Sequence, residues 1–143
     1  MKKKHIILFL LTIFSLSTLC AQDRQTLAKS DSLFIKGMEL YNAKRYHEAI
    51  PLFTESNQIN TELGIANNRQ YVITNLASCY YEVGNYPEAI QLTMTVLSIQ
   101  EKWGKDNPNY AMTLNNLAGY NSAQGNYAEA IKFGTEALGT QKK

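Results

Sequence analysis

The chain has 143 residues, with 14 Lys and Arg against 12 Asp and Glu, and only two Cys and two His. That length suits one domain or a short repeat array. The balanced charge leaves no basic stripe for nucleic acid, and two Cys are too few for a disulfide framework.

In chain order, the first element is a targeting signal. Lys2, Lys3, Lys4 and His5 make a basic start, followed by an apolar run of 14 residues over 6–19 broken only by Thr and Ser. That run is shorter than the roughly 20 residues a membrane span needs, but it suits the core of a signal peptide. Ala21 supplies the small residue of a cleavage site, so residues 1–21 read as a signal peptide and Gln22 as the mature N-terminus. A periplasmic, secreted or cell-envelope destination in a bacterium follows. Lipidation of Cys20 is disfavoured, because Leu19 and Ser17 stand where a lipoprotein signal carries a small residue and a Leu. Loss of Lys2, Lys3 and Lys4 leaves 11 basic against 12 acidic side chains. Cys79 would then be the sole Cys, expected as a small buried hydrophobe inside a helix.

Beyond the signal, periodicity and turn residues predict helices over 26–43, 46–63, 68–83, 86–103, 107–124 and 127–141. Pro51 falls inside the second of these, past its first turn, and predicts a bent or late-starting helix. Gly84, Gly104 and Gly125 suit helix C-terminal turns, Asn85, Asn107 and Asn126 suit N-caps, and Pro108 suits a first helical position. Trp103 is expected to pack at the end of the fourth helix.

These elements repeat. NLASCYYEVGNYPEAI at 75–90 and NLAGYNSAQGNYAEAI at 116–131 share nine of sixteen residues at an offset of 41. A weaker copy, GMELYNAKRYHEAI at 37–50, lies 40 residues upstream, with Lys44 and Arg45 in place of Gly–Asn. A small residue recurs midway along the first helix of each unit (Gly37, Ala77, Ala118). An aromatic opens the second (Tyr46, Tyr86, Tyr127), with Ala three residues on (Ala49, Ala89, Ala130). Small residues facing one another let antiparallel helices approach closely.

This pattern resembles the tetratricopeptide repeat (TPR) family. The long period and the stretch 99–118 look like its kinesin-light-chain subtype, which often carries His where this chain has Asn107. The resemblance implies an all-α, right-handed α-solenoid of three helical hairpins, about six helices, over 22–143, with repeats near 27–66, 67–106 and 107–143. It also implies a concave groove lined by the first helix of each hairpin. The family's groove positions fall on Tyr71, Thr74, Asn75, Ser78, Tyr81 and Glu82 in repeat 2, and on Met112, Asn115, Asn116, Gly119 and Ser122 in repeat 3. Asn75 and Asn116 occupy the place where family members hydrogen-bond a peptide backbone, which an amide suits because it both donates and accepts. The same Asn residues also read as solvated polar positions of the fold. Repeat 1 has apolar Phe34, Ile35 and Met38 there, either an apolar subsite or a face meeting the preceding segment. The family's basic clamp for a terminal carboxylate has no Lys or Arg at these groove positions of repeats 2 and 3.

The catalytic inventory is thin. His47 and Cys79 are the only such side chains after the signal, and the known nucleophile, phosphate-loop and zinc motifs are missing. No catalytic role, cofactor or metal is expected. The partner implied is a protein or peptide, without nucleic acid. The third repeat is expected to leave Ile131, Ala137 and Leu138 partly bare, which would permit self-association. The chain thus reads as a binding adaptor, or alternatively as an assembly or sensory segment of a larger protein.

Overall fold

In the computed structural model the backbone is described for residues 2–105 and 108–140, and side chains for 20–67, 69–105 and 108–140. The regular elements among them are six helices: α1 (Lys2–Asn42), α2 (Tyr46–Glu62), α3 (Ala66–Glu82), α4 (Tyr86–Glu101), α5 (Pro108–Gln124) and α6 (Tyr127–Thr140). Each packs on its neighbour in sequence, forming three antiparallel hairpins stacked into a solenoid, and α1 also touches α3. α2, α4 and α6 open on Tyr46, Tyr86 and Tyr127, as the repeat predicts.

The hairpin turns share one geometry. Gly84 (φ 81°) and Gly125 (φ 89°) take the left-handed conformation, and the next amides, of Asn85 and Asn126, donate to the carbonyls of Tyr80 and Asn121 at 2.8 Å. The first turn is built the same way without glycine: Lys44 has φ 59°, and the Arg45 amide donates to Leu40 at 2.8 Å. Hydrogen bonding therefore imposes the turn even where the residue resists it.

The buried stripes explain the stacking. In α4 they are Ala89, Thr93, Val96, Leu97 and Gln100, at the spacing of one helix face. One repeat earlier, α2 buries Ala49, Phe53, Ser56, Ile59 and Asn60. Phe53 joins Ala49, Val72, Leu76 and Cys79 in one core cluster, while Leu97, Tyr110, Leu114, Leu117, Phe133 and Ala137 form another. Each large apolar side chain so buried contributes on the order of 1.5–3 kcal/mol. α1 and α2 are also joined by a polar contact, the buried hydroxyls of Ser30 and Ser56 lying 2.8 Å apart.

Several expectations need correction. α1 begins at Lys2 and not near 26, because residues 2–36 contain neither Gly nor Pro to break it. α2 starts on time at Tyr46 and runs unbroken through Pro51, so the late start is excluded. Pro51 and His47, whose carbonyl would receive the missing amide, are both exposed to water. Trp103 does not pack: α4 ends at Glu101, which leaves it in the following turn at 47% exposure. Ala137 is buried in the second cluster, although Ile131 and Leu138 are bare as expected. Asn85 caps α4 through Oδ1 and the Glu88 amide at 3.5 Å. Asn126 does not cap α6; its amide donates to Gln124 and Asn121 instead. The expected cap at Asn107 lies outside the described residues.

Candidate functional site

The candidate groove residues lie on α3 and α5. Tyr71, Asn75, Ser78 and Tyr81 recur at three- and four-residue steps, one stripe of a helix, and Met112, Asn115 and Asn116 form the matching stripe on α5. Tyr71 is 57% exposed, and Met112 and Asn115 are also exposed. Thr74, Asn75, Ser78 and Asn116 are half-buried.

Four of these eight meet in one place. Tyr71, Thr74, Met112 and Asn116 line a recess of about 210 Å³ between α3 and α5. Asn109 and Thr113 of α5, Gln70 of α3 and Gln100 of α4 complete its wall. No lining side chain is charged. Gln100 Nε2 donates to Gln70 Oε1 at 3.2 Å, while Gln100 Oε1 is buried without a partner in the protein. An unpartnered buried acceptor costs roughly 1–3 kcal/mol. Such a recess favours neutral hydrogen-bonding groups over ions, since its walls offer no counter-charge.

The two asparagines differ. Asn75 is turned back on its own helix, Nδ2 donating to the Tyr71 carbonyl at 2.9 Å, which leaves Oδ1 and one amide hydrogen for a partner. Asn116 makes no side-chain hydrogen bond among the described residues, so its donors and acceptor are both open to the recess.

Ser78 and Tyr81 belong to a second group. The Tyr81 ring stacks on Tyr120 with centroids 4.7 Å apart and planes at 24°, and the Ser78 and Tyr120 hydroxyls lie 3.3 Å apart. Burial, the largest effect, raises the Tyr120 pKa above the ordinary phenol value, partly offset by the Ser78 hydrogen bond. These contacts tie α3 to α5. Asn115, Glu82, Gly119 and Ser122 are exposed.

The sequence reading missed Gln70, Gln100, Asn109, Thr113 and Tyr120. A signal for Gln100 existed: it continues the apolar stripe of α4 four residues after Val96. Elsewhere, Cys79 is fully buried as expected, and burial, then the Glu82 carboxylate, pushes its thiol up to about 11. No group of His, Cys, Asp and Glu suited to a metal ion occurs among the described residues. No helix among them is long and apolar enough to cross a membrane.

The profile of the family Tetratricopeptide repeat matches residues 70–143, just over half the chain. Curated proteins yield no match. Solved structures are similar in fold. The TPR domain of Arabidopsis FLU superposes with a TM-score of 0.73 at 19% identity, over 84% of this chain and 98% of that one. The apo form of RapI gives 0.74 at 24% identity, over 82% of this chain and 42% of RapI. A kinesin-light-chain protein of Podosopora anserina with nearly identical TPR-like repeats gives 0.71 at 22%, over 82% and 57%. The chain thus spans less than two thirds of the last two.

Proposed function

Because the chain belongs to the tetratricopeptide repeat family, we propose that it is a non-catalytic scaffold that binds a protein or peptide along α3 and α5 in the bacterial cell envelope. The observation that carries the binding reading is the uncharged recess between these helices, where Asn116 presents unused donors and an acceptor beside exposed Tyr71 and Met112. Such a surface suits the peptide backbone, which offers the complementary pair whatever its sequence. The envelope reading is supported by the basic start, the apolar run over 6–19, and the exposure of every side chain from Cys20 to Gln25.

The test is selection of a displayed random-peptide library on the wild-type chain and on the double variant Asn75→Ala, Asn116→Ala, with folding checked by circular dichroism. Selected peptides should bind the wild type and lose affinity for the folded variant. Equal binding to both would sink the groove reading. For localisation, the N-terminus of the protein made in a bacterial host should begin at Gln22 by mass spectrometry; a retained residue 1 would refute cleavage.

A second reading, self-assembly through α6, is favoured by Ile131 at 70% and Leu138 at 61% exposure. Light scattering over a concentration series would then give a dimer that Leu138→Asp abolishes. A monomer at every concentration rules this out.

A further inference from the structure

The recess at Asn116 has a counterpart one repeat earlier. A cavity of about 360 Å³ lies between α1, α2 and α3, walled by Ser56 and by Ser30, Asp31, Phe34, Asn60, Tyr71 and Val72. Moved by the sequence offset of 40, Ser30, Asp31, Phe34 and Asn60 become Gln70, Tyr71, Thr74 and Gln100. Moved by 41, Tyr71 and Val72 become Met112 and Thr113. All six are walls of the second recess, the exception being Ser56, whose counterpart Val96 does not line it. Tyr71 belongs to both and divides them.

The same polar anomaly recurs in each. Asn60 is 1% exposed and its Oδ1 has no partner, and Gln100 is 3% exposed with Oε1 in the same state. Two buried amides at equivalent positions of successive repeats, each with an unused carbonyl oxygen and each beside a cavity, are not explained by packing, which an apolar residue would serve better. We propose that the two cavities are paired side-chain pockets, each taking the neutral amide side chain of an Asn or Gln from a single bound peptide. This rests on the peptide-binding reading above and adds to it the chemistry that is recognised.

The choice of ligand follows from the walls. An unused carbonyl oxygen calls for a donor, and the Asp31 carboxylate on the wall of the first pocket repels a second anion, so carboxylate and phosphate are disfavoured. An ammonium would lie in the second pocket without a counter-charge, since none of its lining residues is ionisable except the Tyr71 phenol. The first pocket carries the exposed Asp31 carboxylate on its wall, so enrichment of Lys or Arg at that position would overturn the amide assignment there. An amide side chain donates to the carbonyl oxygen and accepts in return. Asn60, whose side chain makes no hydrogen bond among the described residues, can turn its amide about the last torsion to meet it. The volumes lie near or below the roughly 300–1,000 Å³ of small-molecule sites, a size for one side chain each.

The experiment is selection of a random dodecapeptide phage library on the intact chain and on Asn60→Leu and Gln100→Leu, which remove the acceptor and nearly keep the volume. Wild-type selection should enrich Asn or Gln at two positions of constant spacing. Asn60→Leu should lose the preference at one position and Gln100→Leu at the other, each weakening a synthetic selected peptide about tenfold. Replacing either amide of that peptide by Leu should weaken its binding to the wild-type chain by a similar factor, a measurement independent of how the variants fold. Bound peptides without amide enrichment, or unchanged affinity after these replacements, would overturn the paired pockets and leave the peptide-binding scaffold standing. Failure to select any peptide would overturn both.

Discussion

A Cβ on Gly37 would lie 2.7 Å from Cε1 of Phe53, so the face of the Phe53 ring occupies the space that any other residue at position 37 would need. Phe53 is fully buried and has little room to yield. In the third hairpin the sizes are reversed: Gly134 stands at the position equivalent to Phe53, and its Cβ would meet Ala118 Cβ at an ordinary 3.9 Å. Gly37→Ala should therefore lose about 1–2 kcal/mol, overpacking outweighing the better helix propensity of Ala. Gly134→Ala should gain about 0.5–1 kcal/mol. Urea midpoints of the two variants decide it, and a stabilised Gly37→Ala would contradict the packing.

Lys44 holds a left-handed conformation at φ 59° where the later hairpins use glycine. That conformation costs a side-chain-bearing residue about 1–2 kcal/mol, against about 0.5–1 kcal/mol of extra chain entropy lost by Gly on folding. Lys44 is exposed, so no packing is lost with it. Lys44→Gly should raise stability by about 0.5–1 kcal/mol, while Gly84→Ala should lower it by about 1 kcal/mol. Thermal melts that move the other way would show that the turn is not the source.

Pro51 lies in the body of α2 and denies the His47 carbonyl its helical donor. Pro51→Ala restores that bond and removes the ring's clash, with some of the gain offset by a freer unfolded chain. A net stabilisation of about 1–2 kcal/mol is expected in denaturant titration. No gain would mean that α2 has already relaxed around the proline.

Cys79 gives the fold an alkaline limit. Its thiol is pushed up to about 11 in the folded chain, from about 8.5 when unfolded. The native state therefore holds this proton more tightly. The resulting stabilisation is complete below about pH 8.5 and is lost as pH rises through about 11. Tyr120, raised by burial, acts in the same direction. The urea midpoint should fall across that window, with a shallower slope in Cys79→Ala. Iodoacetamide at pH 8 should leave Cys79 unmodified in the folded chain; rapid alkylation there would refute its burial.

Much of the fold was legible because its signals are local. A residue in the left-handed conformation, an aromatic opening the second helix and an Ala one turn later act within a few residues, and they recur at offsets of 40 and 41. The candidate site was half legible. Tyr71, Thr74, Met112 and Asn116 do share a recess, whereas Ser78 and Tyr81 turn to Tyr120 and Asn75 bonds its own helix. Nothing within α3 alone distinguishes these fates, since all lie on one stripe.

The sequence by itself determined that α2 to α6 form at their stations and turn back on one another, because helix propensity, capping and turn conformation are short-range effects. Only the tertiary structure decided that Gln100 and Asn60 are buried beside cavities, that Tyr71 stands between two of them, and that Trp103 is left in water. Those outcomes depend on how three helices from two repeats approach one another, a distance set by pairs such as Gly37 with Phe53 and not by any one segment.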